Sequence, residues 1–106
     1  MVARGEVYLI NLDPTIGSEV QKTRPCVVIS PDEMNKYIRT VIIAPMTTKL
    51  RSYKSRINIE FKEKKGQIML DQLRTVDKQR LVKKQGKLTP ENLKSALNLL
   101  QEMFTY

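Results

Sequence analysis

Thr23-Arg24-Pro25-Cys26-Val27-Val28-Ile29 and Thr40-Val41-Ile42-Ile43-Ala44 each close in an unbroken, β-branched apolar run of strand length. A half-solvated strand alternates apolar and polar residues because successive side chains point to opposite faces. A run that is apolar throughout is therefore a strand covered on both sides, and these two are predicted to lie at the centre of a sheet. The segment Pro31-Asp32-Glu33-Met34-Asn35-Lys36 between them has room for a helical turn or two. Upstream, Val7 to Leu12 is apolar except for Asn11 and reads as a third strand, ended by Asp13-Pro14. Downstream, Arg56-Ile57-Asn58-Ile59-Glu60-Phe61 alternates strictly, so one of its faces meets water. A Lys62-Glu63-Lys64-Lys65-Gly66 turn is expected to pair it with Gln67 to Leu70. Leu73 to Val76 is a short strand candidate, and Arg80 to Lys87 reads as a basic connector of no evident conformation.

At the C-terminal end, Thr89 has the side chain of a helix cap, Pro90 suits the first helical position, and Glu91 follows. Leu93, Ala96, Leu97, Leu100 and Phe104 then fall on one helical face, widened by Leu99 and Met103. A face this apolar must pack on the sheet or on a second subunit. The expected class is mainly β (α+β): an antiparallel barrel or strongly bent sheet closed by a C-terminal helix. At 106 residues the chain is expected to form one domain, 1–106, able to hold a core unaided.

The net charge of +8 is unevenly spread. Residues 1 to 33 sum to −2, whereas Met34 to Ile59 carry six basic residues and no acidic one. Residues 60 to 88 add +5, and the last eighteen return to −1. A basic middle between near-neutral ends favours a polyanion such as nucleic acid, with simple solubility as the alternative. The basic residues do not share a face of an amphipathic helix, so membrane binding is not expected. The N-terminus lacks the apolar stretch of a signal peptide, no run approaches membrane-spanning length, and the one cysteine, Cys26, reads as a small buried hydrophobe. A cytoplasmic protein is expected.

Histidine is absent, which removes the usual acid–base group and the commonest metal ligand. Acidic residues are scattered singly, so the pattern predicts no metal site, and without a phosphate-cradling glycine loop it predicts no nucleotide cofactor. RNA carries its own nucleophile in the 2′-hydroxyl. Cutting it requires only that this group be deprotonated, that the phosphorane be stabilised, and that the leaving oxygen be protonated. The polar loop Asp13-Pro14-Thr15-Ile16-Gly17-Ser18-Glu19 and Thr23-Arg24-Pro25 place a carboxylate and a guanidinium just before a stiff strand. Pro45-Met46-Thr47-Thr48 repeats a polar group at a buried strand's end. Arg24 can bond two phosphate oxygens with its planar fork, Glu19 can accept the 2′-hydroxyl proton, and Thr47 can donate a hydroxyl hydrogen bond. Equally, Arg24 can pair with a surface carboxylate, Glu19 can solvate its loop, and Thr47 can be a strand residue. Asp71 and Arg74 can likewise be an ion pair that pins a turn. Lys49, Arg51, Tyr53, Lys54 and Arg56 can grip an RNA backbone while Tyr53 stacks on a base, or can form a solvated loop. Four or five neutralised phosphates would give a slope of log affinity against log salt of roughly −3 to −3.5.

The ordered set Arg4-Gly5-Glu6-Val7-Tyr8, Leu12-Asp13-Pro14-Thr15, Gly17-Ser18-Glu19, Thr23-Arg24-Pro25, Pro45-Met46-Thr47-Thr48 and Asp71-Gln72-Leu73-Arg74-Thr75-Val76-Asp77-Lys78-Gln79-Arg80-Leu81 resembles the MazF/PemK family of endoribonuclease toxins over essentially the whole chain. The resemblance implies an SH3-like barrel with a C-terminal helix, a homodimer, and metal-independent, sequence-selective cleavage of single-stranded RNA. It also implies a MazE-like antitoxin with an acidic tail, and contact with operator DNA only through that complex. By position it implies Arg24 and Thr47 as the principal catalytic pair, Glu19 in the active site, and Asp71 and Arg74 as catalytic or supporting groups; Thr48 is expected among the RNA-binding residues with Lys49, Arg51, Tyr53, Lys54 and Arg56. Some members carry a histidine where this chain has Ser18 and an arginine where it has Met69, so their acid–base assignment does not transfer intact. CcdB-like gyrase poisons share the fold without cutting RNA and form the alternative, which the Arg24 and Thr47 pair disfavours. A noncatalytic nucleic-acid module is the third reading, weakened by having few aromatic residues outside core patterns.

Overall fold

The computed structural model describes residues 1–106, and in it seven strands and two helices alternate with short connections. Strands β1 (Glu6–Asn11) and β2 (Thr23–Val28) precede helix α1 (Asp32–Tyr37). Strands β3 (Thr40–Thr47), β4 (Arg56–Phe61), β5 (Lys64–Met69), β6 (Arg74–Asp77) and β7 (Leu81–Lys87) follow, and helix α2 (Pro90–Met103) ends the chain. All pairings are antiparallel, in the order β4-β5-β3-β2-β1-β7, with β6 also on β3.

The eight-residue β3 makes the sheet curl. Along one edge, its first half pairs with β6, from Thr40↔Asp77 to Ile43↔Arg74, and its last two residues pair with β5, Met46↔Ile68 and Thr47↔Gln67. The central strands are buried on both sides, as their unbroken apolar runs predict. Val27, Ile29, Ala44 and Met46 face one core with Val7, Ile59, Ile68 and Leu70, closed by Ala96 and Leu100 of α2. Cys26, Val28, Val41 and Ile43 face a second core with Ile10, Leu12 and Val76. The expected bent antiparallel sheet with a C-terminal helix is the observed architecture.

Helix α2 starts as its sequence predicts: the Thr89 side chain accepts a hydrogen bond from the Asn92 N–H at 3.2 Å, with Pro90 next. Its far end differs. Phe104, expected on the buried stripe, is 73% exposed, because the helix closes at Met103 and Phe104 has left helical geometry.

Two other expectations change. Arg80–Lys87 is no irregular connector: most of it is strand β7 on β1, with shifts in register around Tyr8 and Leu9. Edge strands tolerate the run Lys83-Lys84-Gln85, and Gly86 supplies a positive φ of 147° beside one of the shifts. The β4–β5 turn is two residues, not five. Lys62 and Glu63 occupy it with φ of 50° and 65°, so Lys64, Lys65 and Gly66 belong to β5. No helix is long and apolar enough to cross a membrane.

Candidate active site

The register of β2 on β3 brings Arg24 and Thr47 together. Cys26 lies opposite Pro45 and Val27 opposite Ala44, and Arg24 and Thr47 each lie two residues beyond the Cys26–Pro45 pair, toward the same end of the two strands. Both residues line one open cavity of about 450 Å³. The Arg24 Nε donates to the Gln21 carbonyl at 3.2 Å, which aims the head group. The two salt bridges of the molecule are Arg56–Asp71 and Lys84–Glu6, so Arg24 is not spent on a carboxylate. The Thr47 Oγ1 accepts the Lys49 N–H at 3.1 Å, which leaves its own hydrogen free to donate.

The charge of this cavity is one-sided. Lys22, Lys49, Lys64 and Lys65 line it with Arg24, and no carboxylate does. Lys64 and Lys65 come from the start of β5, which the sequence assigns to a turn. Their approach to Thr47 depends on Gly66: a Cβ there would stand 2.6 Å from the Thr47 carbonyl oxygen.

Glu19 is placed elsewhere. It lines a neighbouring depression of about 260 Å³ together with Asp71 and Arg74. Its Oε1 accepts the Ile16 N–H at 2.7 Å and so closes its own loop. Asp71 and Arg74 do not pair, contrary to one of the two readings open to them. Arg74 donates to the Leu12 carbonyl at 3.1 Å, while Asp71 takes a two-point bond from Arg56 at 3.1 and 3.2 Å and a third from the Ser55 hydroxyl at 3.0 Å. Burial pushes the Asp71 carboxyl up, and the Arg56 guanidinium and Ser55 hydroxyl outweigh it, holding the group below its ordinary value.

The basic loop after β3 divides accordingly. Thr48 and Lys49 line the cavity. Arg56 faces away, its side chain 10% exposed against Asp71 and its guanidinium over the Tyr53 ring at 4.8 Å. Arg51 faces a separate depression on the far side of Gln67, and Tyr53 and Lys54 are exposed. Gln67 was not foreseen as part of the site. It is 4% exposed, accepts the Arg51 N–H at 3.1 Å, and donates to the Arg51 carbonyl at 2.7 Å and the Asn58 side chain at 2.8 Å. A polar residue opening the apolar stretch Gln67-Ile68-Met69-Leu70 was the one signal in the sequence that pointed to it.

Known structures share this fold. A MazF from Deinococcus radiodurans superposes with a TM-score of 0.85 at 20% identity, covering 96% of this chain and 94% of that one. An endoribonuclease bound to its cognate antitoxin, from a mycobacterial species, gives 0.84 at 19% identity over 100% and 99% of the two chains. The toxin MazF-mt6 of Mycobacterium tuberculosis gives 0.77 at 17% identity over 93% and 95%. At these identities the likeness establishes the fold. Residues 3–104 match the family model described as PemK-like, MazF-like toxin of type II toxin–antitoxin systems, and the chain belongs to that family.

Proposed function

We propose that the chain is a metal-independent endoribonuclease that cuts single-stranded messenger RNA at short sequence motifs and so arrests growth in the cytoplasm. One observation carries this reading: Arg24, unpaired with any carboxylate, and Thr47, with its hydroxyl hydrogen free, meet in a cavity lined by five cationic side chains and no acidic one. Such a cavity suits a polyanion that brings its own nucleophile.

In the proposed reaction the 2′-hydroxyl gives up its proton to solvent water and attacks the adjacent phosphorus. The bond to the 5′ oxygen breaks, and that oxygen takes a proton from solvent water, leaving a 2′,3′-cyclic phosphate and a 5′-hydroxyl with no net change in protons. Arg24 bonds two equatorial oxygens of the phosphorane, and its charge persists at any working pH. Thr47 donates its hydroxyl hydrogen to a phosphoryl oxygen. Lys49, Lys64 and Lys65 hold the flanking phosphates, Tyr53 offers its open face to a base, and Glu19 keeps the Arg24 loop in shape from the neighbouring depression.

The same cavity suits the acidic tail of a MazE-like antitoxin, and relatives of this fold are known as MazE–MazF complexes. Operator DNA would be reached only through that complex. The exposed Met103 and Phe104 at the end of α2 support a homodimer, since apolar side chains of that size gain from a partner.

The test is incubation of a mixed-sequence single-stranded RNA with purified protein in excess EDTA, with product ends mapped. Discrete cuts are expected, reduced about a hundredfold or more in Arg24→Ala and in Thr47→Ala. Intact RNA despite growth arrest on expression would overturn the nuclease reading in favour of a protein target, as for the gyrase poisons.

A further inference from the structure

Thr47 carries its hydroxyl at the mouth of a loop, and a threonine hydroxyl in the open rotates. Its direction here is set by the Lys49 N–H, which donates to Oγ1 at 3.1 Å and so turns the hydroxyl hydrogen away from the loop. That N–H belongs to a long, mostly exposed loop, residues 48–55, which has no regular structure of its own. Left to itself such a segment would sample many conformations and the Lys49 N–H would wander.

Gln67 prevents this. Its amide takes both backbone groups of Arg51, accepting the N–H at 3.1 Å and donating to the carbonyl at 2.7 Å. Its second N–H goes to the Asn58 side chain at 2.8 Å, which fixes the plane of the amide. Because Gln67 is buried and its own backbone pairs with Thr47 across β3 and β5, the clamp is mounted on the strand next to the residue it serves. The far end of the loop is held independently by Asp71 on Ser55 and Arg56. Only the Gln67 anchor lies within two residues of Lys49.

We propose that Gln67 is a positioning residue for the cleavage step: through Arg51 it holds the Lys49 N–H on the Thr47 Oγ1 and thereby aims the Thr47 hydroxyl into the cavity. The inference rests on the ribonuclease reading. An amide suits the task because it both donates and accepts; a leucine of similar size does neither, and a glutamate accepts only.

The experiment combines a double-mutant cycle with amide exchange. Single-turnover RNA cleavage is measured for the wild type, Gln67→Leu, Thr47→Ala and the double variant. Gln67→Leu is expected to lower the cleavage rate about ten- to a hundredfold, the cost of a small misplacement at a reacting centre. In the Thr47→Ala background it should have almost no further effect, because the group it aims is gone. A purely structural lesion would lower both backgrounds alike, and such additivity overturns the proposal. Asn58→Ala, at an exposed position, removes one anchor of the amide and gives the same pattern more weakly if Gln67→Leu does not fold. Independently of activity, the Lys49 amide should exchange with solvent at least about tenfold faster in Gln67→Leu or Asn58→Ala. Unchanged exchange refutes the clamp. A wild type that leaves RNA intact would refute the ribonuclease reading instead, a separate outcome.

Discussion

Replacing Gly66 by alanine adds one methyl group at the closest approach of two strands. The new Cβ would stand 2.6 Å from the Thr47 carbonyl oxygen and 3.5 Å from its carbonyl carbon. Neither is a side-chain end that can swing away, so β3 and β5 must separate by roughly half an ångström or more to restore contact distance. Overpacking of this kind costs about 1–3 kcal/mol. The lower chain entropy of alanine returns roughly 0.5–1 kcal/mol. A net destabilisation of about 1–2 kcal/mol follows, which for a chain of this size lowers the urea midpoint by about 1 M at a slope near 1.5 kcal/mol per molar.

The same displacement falls on the Thr47↔Gln67 pair, the last pairing before the loop 48–55. RNA cleavage by Gly66→Ala should therefore drop about tenfold or more even at temperatures where the protein is fully folded. Urea titration followed by circular dichroism reads the first effect, and single-turnover cleavage at low temperature reads the second. A Gly66→Ala protein with unchanged midpoint and rate would show that the strands have slack there, and would refute this account of why β5 carries a glycine beside two lysines.

Other outcomes follow from the same geometry. Lys62 and Glu63 occupy the two-residue β4–β5 turn in left-handed conformations that cost an ordinary residue about 1 kcal/mol each, so Lys62→Asn with Glu63→Gly should stabilise the fold by roughly 1–2 kcal/mol in a thermal melt. Glu6 and Asp71 both titrate below their ordinary values. Burial opposes this for each, and it is outweighed for Glu6 by Lys84, the Ala3 N–H and Tyr8, and for Asp71 by Arg56 and Ser55. Their contribution is complete above the unfolded pKa of about 4 and is lost as pH falls through the lower folded values, so Glu6→Gln with Asp71→Asn should flatten the acid limb of a Tm-against-pH curve. For Glu19, glutamine keeps an oxygen for the Ile16 N–H, so Glu19→Gln should cleave RNA within a few-fold of wild type while Glu19→Ala falls further; equal losses would instead make the carboxylate the base.

Much of this was legible from residue order because burial on both faces writes itself into every position of a strand. Val27 to Ile29 and, but for a partly exposed Ile42, Val41 to Ala44 are buried, and Thr89-Pro90 marks a helix start by local chemistry alone. Strand β7 was not legible, since an edge strand meets no core at Lys83 to Gln85 and is held by backbone bonds to β1 that composition does not report. The turn at Lys62-Glu63 was mislocated because glycine is the usual sign of a left-handed residue, and here Gly66 is needed for a close approach instead. The pairing of Arg24 with Thr47 could be proposed from sequence, whereas the separation of Glu19 from them depends on how a loop folds back on itself.

The site also shows how like charges are held together. Five cationic side chains around one cavity repel each other, and carboxylates among them would offset that repulsion while spending a field that favours any polyanion. The fold instead keeps its stabilising carboxylates outside the cavity. Asp71 bonds Arg56 at the far end of the basic loop, and Glu6 bonds Lys84 on β7. Inside the loop, the anchors nearest the cavity are neutral: the Thr47 hydroxyl on the Lys49 N–H and the Gln67 amide on both backbone groups of Arg51. Neutral anchors fix geometry without cancelling charge. By this argument a Gln67→Glu variant would suffer twice, losing the donors to the Arg51 carbonyl and the Asn58 side chain and placing a negative charge in the lining of the cationic cavity. Its RNA affinity should fall together with its cleavage rate, whereas Gln67→Leu should lose mainly rate.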